Sequence, residues 1–192
     1  MKKISFLLLS GLITLCFTSC LDDNDYTGPS NEDYITAAKK MQGSYQGSLE
    51  IVADTTILET RPNQVWKLDS TFVTKDVPVC EIAKQLQNNP TDSAEIAKFE
   101  PQHIYASLSF VTIQSAGYVY YIAPQTKTIK VTNQENKEDV YNIQFSTSVG
   151  NYVLLTGTMK YYLEVAKITK NGYTINGLKT IPRFQYTSSI HY

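Results

Sequence analysis

The chain has 192 residues, with 17 Lys and Arg against 18 Asp and Glu, for a formal net charge of −1. This balance argues against nucleic-acid binding, which needs clustered basic residues. The length allows one domain with a real core, and 14 Tyr beside many Thr, Val and Ile favour β structure.

The first predicted element is a targeting segment. Lys2 and Lys3 precede an uncharged, nearly uninterrupted apolar run over 4–17. This run is shorter than the roughly 20 apolar residues of a membrane-spanning helix, and its proportions fit a secretory signal. We therefore expect residues 1–19 to be a signal peptide.

The signal ends in Phe17-Thr18-Ser19-Cys20, which resembles the bacterial lipobox. The resemblance implies cleavage before Cys20 and acylation of that cysteine with fatty acids such as palmitate. The alternative is an ordinary thiol or half of a disulfide. Only Cys20 and Cys80 would remain after cleavage, whereas small secreted domains that rely on disulfides carry several. We favour the lipid anchor.

An acidic stretch, Leu21-Asp22-Asp23-Asn24-Asp25, follows the cysteine. It resembles the surface-export signal of Bacteroidetes lipoproteins, with Asp22, Asp23 and Asp25 as the acidic residues. A solvated linker is the alternative, and the two interpretations are compatible. We interpret 20–30 as a lipidated acidic linker.

A single domain is predicted over 31–192. Ser30 or Asn31 can cap a helix that continues to Met41. Residues 43–51 alternate as a strand, and further strands are expected near 56–59 and 65–74. Pro78 opens a helical insertion around 78–99, whose second helix we expect Asp92 to cap.

From residue 102 onward the pattern is strand after strand. The longest run, 152–168, alternates as one strand with Leu155 on the core side and Gly157 as a bend. Asn171-Gly172 predicts a hairpin turn. The fold class is therefore mainly β (α+β), an antiparallel β-barrel or sandwich with an N-terminal helix and a helical insertion.

The segment "GSYQG" after a short helix is similar to the first strand of calycin (lipocalin-like) barrels. Together with the lipobox, the acidic leader and "DVPVCEIAKQL", it makes the chain resemble uncharacterised Bacteroidetes lipoproteins with a calycin-like β domain. The resemblance implies a barrel-like fold and an outer-membrane location facing the cell exterior. It implies no functional residue.

Catalytic and metal-binding signals are weak. His103 and His191 lack metal-ligand spacing, and Tyr34 stands where a calcium loop starting at Asp23 would need a bidentate Glu. Cys80 near a helix start can have a lowered pKa, but a small buried apolar role suits it better. We expect a protein that is not an enzyme, with no cofactor and no metal.

Aromatic residues are the remaining indication of binding. Six of them could line a groove for a glycan or a small amphipathic ligand: Trp66, Tyr118, Tyr120, Tyr121, Tyr161 and Tyr162. Core packing is the alternative for each, since consecutive tyrosines on a strand point to opposite faces.

Two functions lead at this stage, and an enzyme is a third candidate that would need carboxylates or Cys80 clustered in a cleft with shifted pKa values. The first is a noncatalytic surface lipoprotein that binds a glycan or small amphipathic ligand. The second is a structural or interaction subunit of an outer-membrane assembly, in contact with an outer-membrane protein and without a ligand pocket. An open aromatic-lined mouth would favour the first, and a filled interior beside an exposed apolar patch the second.

Overall fold

A computed structural model describes residues 28–87, 89–133 and 135–192. Within these residues, three helices and eleven strands follow one another in this order: α1 (Asn31–Met41), β1 (Gly43–Ala53), β2 (Thr56–Leu68), β3 (Phe72–Val77), a 3₁₀ helix (Val79–Gln85), α2 (Pro90–Ile96), β4 (Gln102–Gln114), β5 (Gly117–Pro124), β6 (Lys127–Thr132), β7 (Glu138–Phe145), β8 (Ser148–Val153), β9 (Thr158–Lys170), β10 (Tyr173–Thr174) and β11 (Pro182–His191).

Eight strands close into an antiparallel barrel, in the order β1, β2, β3, β4, β5, β8, β9 and β11. The closure lies between β9 and β11, where Leu163 is opposite Phe184, and β11 then pairs with β1. The fold is thus mainly β and calycin-like, as predicted. Of the two architectures left open, the barrel is the correct one.

Strand β9 belongs to two sheets. Its first half lies in the barrel wall beside β8 and β11. From Val165 to Lys170 it pairs with β7, which pairs in turn with β6, and the short β10 adds to the other side. A register shift between Gln144 and Phe145 marks the place where β7 joins. A small second sheet therefore leaves the barrel at β9.

Helices cover both ends of the barrel. At the end where β1 begins, α1 buries Ala37 and Met41 against the barrel, and a capping box between Ser30 and Asp33 stabilises its first turn. At the opposite end, the 3₁₀ helix buries Val79 and Ile82.

The structure corrects four local predictions. The strands expected near 56–59 and 65–74 are instead the longer β2 and the separate β3, divided by a bend at 69–71. Residues 154–157 form a turn between β8 and β9, so the run is two strands, and Leu155 is 93 % exposed rather than in the core. Gly157 has φ +65°, which suits a turn residue. The first insertion helix is 3₁₀, and Asn89, not Asp92, caps α2 by accepting a hydrogen bond from the Asp92 amide at 3.2 Å.

Other expectations are confirmed. The Asn171-Gly172 turn joins β9 to β10, with both residues at positive φ as such a hairpin requires. Strands β5 and β11 alternate between buried and more exposed positions. The last strand pairs on both sides within the barrel sheet.

Candidate functional site

A cleft lies beside α1 at the end of the barrel where β1 begins. It encloses about 840 Å³, in the size range of small-ligand sites. Its walls come from α1 and the residues before it, from the β4–β5 hairpin, and from the turn after β8: Gly28, Pro29, Ser30, Asp33, Thr36, Lys40, Val111, Thr112, Ile113, Gln114, Ser115, Tyr118 and Leu154. We call this feature the α1 cleft.

The polar wall of the α1 cleft is one face of α1. Asp33, Thr36 and Lys40 are spaced three and four residues apart, so they share a side of the helix. Ser30 donates to the Asp33 carboxylate from its hydroxyl and its backbone amide, each at 2.8 Å, and these bonds lower the Asp33 pKa. The cleft therefore presents the Asp33 carboxylate and the Lys40 ammonium group about two helical turns apart.

The apolar wall is built from β-structure. Tyr118 stacks on Tyr152 with ring centroids 5.8 Å apart and meets the edge of Phe110 at 5.8 Å. Burial raises the Tyr118 pKa. The Tyr152 hydroxyl lies 3.3 Å from the Lys40 carbonyl, which it can donate to, and 3.3 Å from Nδ1 of His191. These contacts fix the end of α1 against the barrel.

Three of the six predicted aromatic residues lie inside the barrel. Trp66, Tyr120 and Tyr161 are at most 2 % exposed. Trp66 meets Tyr161 edge-on at 5.5 Å, and its indole N–H donates to the Met159 sulfur at 3.3 Å. Tyr120 donates toward the carbonyls of Asn151 and Lys160. In these positions the side chains pack the barrel interior.

The other three differ from these. Tyr118 is also buried in the core, at 4 % exposed, but it lines the α1 cleft as well, whereas Tyr121 and Tyr162 face outward. The structure thus separates the six residues into three groups. Tyr120 and Tyr121 face opposite sides of the wall, as do Tyr161 and Tyr162, which confirms the expectation for consecutive tyrosines.

The outward tyrosines belong to a band across the barrel wall, which we call the outer band. Tyr121 on β5 is opposite Val149 on β8, and both are 46 % exposed. Ser148 donates to the Tyr162 carbonyl at 2.6 Å, so Tyr162 lies next along the band. The Arg183 guanidinium covers the Tyr162 ring at 4.6 Å.

The residues considered for catalysis are dispersed. Burial, followed by the nearby Glu81 carboxylate, raises the Cys80 pKa and so favours the thiol over the thiolate. His191 stacks on Tyr45 at 4.3 Å, and His103 accepts from the Asp76 amide at 3.3 Å. In the described part of the chain, no group of three or more His, Cys, Asp or Glu has an arrangement suited to a metal ion.

A charged cluster that the sequence did not indicate joins α2 to the second sheet. Lys170 contacts Glu95 at 2.7 Å, Asp139 at 3.1 Å and Asp92 at 3.4 Å, and the Tyr141 hydroxyl donates to Glu95. Hydrogen bonds from Lys170 and, to a lesser degree, from Tyr141 lower the pKa of Glu95. Hydrogen bonds from Asn171 and, to a lesser degree, from Lys170 lower the pKa of Asp139. These ion pairs hold three carboxylates around one ammonium group and join α2 to the second sheet, so the role of the cluster is structural.

The residues of the predicted anchor and export signal, Cys20, Asp22, Asp23 and Asp25, lie outside the described residues. Among the residues that are described, none of the helices has the length and apolar character needed to cross a bilayer.

A family model described as Domain of unknown function (DUF4840) matches residues 40–170. The chain belongs to this family. The DUF4840 segment runs from Lys40 at the end of α1 to Lys170 at the end of β9. It therefore includes most walls of the α1 cleft and the outer band as far as Tyr162, but not the closing strand β11. No curated protein and no solved structure matches the chain.

Proposed function

We propose that the protein is a noncatalytic lipoprotein of the outer membrane, anchored by lipid on Cys20 and facing the cell exterior. The support for the anchor is the sequence: an apolar signal, a small residue before the cysteine and acidic residues after it. Several acyl chains hold a protein at a membrane, because each buried methylene contributes about 0.8 kcal/mol.

The α1 cleft is the proposed binding site, and a glycan or a small amphipathic molecule is its proposed ligand. The observation that carries this proposal is the cleft itself, which combines an aromatic ring, aliphatic side chains, an amide and two opposite charges around about 840 Å³. The barrel interior is occupied by packed aromatic rings, so a ligand is expected outside it.

The anchor is tested by fatty-acid labelling in cells. Cys20→Ala should abolish labelling and release the protein from membranes, whereas Cys80→Ala, the matched control, should keep both. Labelling that persists in Cys20→Ala would refute the anchor. The outward orientation is tested separately, by protease added to intact cells: a protein that is never trimmed contradicts it.

The ligand is tested on a glycan array and with detergent-like amphiphiles as probes. Thr36→Trp should fill the cleft and Lys40→Ala should remove its ammonium group, so both should weaken a signal seen for the wild type. Lys39→Ala is the control, because Lys39 is the neighbouring lysine and does not line the cleft. If the wild type and all three variants bind equally well, the ligand does not bind in the α1 cleft.

A second candidate function, an interaction subunit of an outer-membrane assembly, is supported by the outer band. Tyrosine and arginine are enriched in the energetic centres of protein interfaces, and this band exposes both beside Val149. A photo-crosslinking residue at Tyr121 should give a defined adduct with an outer-membrane protein. Tyr105 is the control position, because it is also 46 % exposed but lies elsewhere on the wall. Equal adducts at both positions would contradict a specific contact.

A further inference from the structure

The most exposed large apolar side chain among the described residues is Leu155, at 93 %. It lies in the turn between β8 and β9, where the Leu154 amide donates to the Ala116 carbonyl at 3.1 Å and so holds the turn against the β4–β5 hairpin. The turn is therefore fixed in place with its leucine directed into solvent, although folding gains nothing from that exposure.

Leu155 has apolar neighbours at the same end of the barrel. Leu154 and Val111, which is 46 % exposed, both line the α1 cleft. We call Val111, Leu154 and Leu155 the apolar rim. Single exposed apolar residues are ordinary, but several around one opening indicate a contact surface.

The position of the rim relative to the proposed anchor identifies the partner. Gly28 lines the α1 cleft and is eight positions after Cys20 in the chain. Eight residues reach at most about 28 Å even when fully extended. A lipid on Cys20 therefore keeps this end of the barrel close to the bilayer surface.

From these three observations we propose that the apolar rim rests on the lipid surface, with Leu155 inserted at the headgroup boundary. Because Val111 and Leu154 also line the α1 cleft, the cleft then opens toward the lipid, which suits the amphipathic molecule rather than the glycan of the two proposed ligands. The inference rests on the proposed lipid anchor. Burying one leucine contributes about 1.5–3 kcal/mol, too little to bind a free protein but enough to orient a tethered one.

The contact is expected to be apolar rather than electrostatic. On α1 the charges of Glu32 and Asp33 offset those of Lys39 and Lys40, and the linker adds acidic residues. Anionic lipids would thus offer little net attraction. The contact should therefore persist at 1 M salt, where charges are screened over about 3 Å.

The test uses the full lipidated chain with Cys80→Ala and one fluorescent label, in phosphatidylcholine vesicles that carry a shallow doxyl quencher. The label is placed at Leu155→Cys or, as control, at Tyr173→Cys, since Tyr173 is 81 % exposed and pairs with the far end of β9. We expect the label at 155 to lose about half its fluorescence, as for a group about 5–10 Å into the interface. The label at 173 should lose almost none.

The outcomes separate the two proposals. Protein that floats with vesicles but shows equal quenching at 155 and 173 overturns the rim contact and leaves the anchor standing. Protein that does not float shows that the lipid anchor is wrong, and the rim contact, which needs it, fails too. Quenching at 155 that disappears at 1 M salt would contradict the apolar contact.

Discussion

The barrel interior and the junction with the second sheet are held by opposite kinds of contact. Inside the barrel, Trp66, Tyr161 and Tyr186 pack ring against ring at 4.9–5.6 Å with few polar bonds. At the junction, Lys170 gathers three carboxylates within 3.4 Å. One long strand, β9, thus carries an aromatic core contact at Tyr161 in its first half, and in its second half it adds the Lys170 ion pairs to the burial of Val165 and Ile168.

The largest effect is expected from Trp66→Ala. Trp66 is completely buried and contacts rings from β1, β9 and β11, so its removal leaves a large cavity. The free energy of unfolding should fall by about 3–5 kcal/mol. Urea unfolding followed by circular dichroism measures it. A loss below about 1 kcal/mol would show that the interior is loosely packed and contradict the comparison.

At the junction, Lys170→Met should cost less, about 2 kcal/mol, because the lysine is 22 % exposed and water can screen the carboxylates left behind. Lys167→Met on the same strand is a matched control, since Lys167 is exposed and should have little effect.

Lys170→Met should also change how the free energy of unfolding depends on pH. The lowered pKa values of Glu95 and Asp139 stabilise the fold at neutral pH, and this contribution is lost as pH falls below about 4. Lys170→Met should therefore show a shallower loss of stability between about pH 5 and pH 2. A parallel acid profile for variant and wild type would mean that Lys170 does not set these pKa values.

Tyr161 and Tyr186 stack inside the barrel, and they differ in whether the buried hydroxyl group has a hydrogen-bond partner. Burial raises the pKa of Tyr186, and its hydroxyl has no hydrogen-bond partner among the described residues. The Tyr161 hydroxyl is 2.9 Å from that of Thr74. Tyr186→Phe should raise the free energy of unfolding by about 1 kcal/mol, and Tyr161→Phe should lower it by about 1–3 kcal/mol. Thermal unfolding of both variants measures these changes. A change of the same sign in both variants would contradict the prediction.

Sequence periodicity predicted the packed wall because each barrel strand carries its own alternation of buried and exposed residues. It failed at Leu155 because positions 153, 155 and 159 are all apolar and so continue the core face through the β8–β9 turn, although Leu154 and Gly157 interrupt the alternation. It could not decide between barrel and sandwich, because closure depends on the pairing of β9 with β11.

The α1 cleft and the junction could not be predicted from the sequence either, because their residues are far apart in the chain and meet only in the folded structure. Asp92, Asp139 and Lys170 come from separate elements and meet only when the second sheet folds against α2. In the same way, Lys40 and Leu154 line one cleft although they are 114 positions apart in the chain. Neither residue carries a local motif that would distinguish it.

The smallest effect is expected on the outer face of the wall. Tyr121 follows the buried Tyr120 directly but is 46 % exposed, so Tyr121→Ala should change the free energy of unfolding by no more than about 0.5 kcal/mol. Tyr120→Ala should cost about 3–5 kcal/mol, since its ring packs over Gly150 inside the barrel. Denaturant unfolding of the two variants compares them. A large loss for Tyr121→Ala would mean that the outer band stabilises the barrel, which would remove the reason to regard it as a free contact surface.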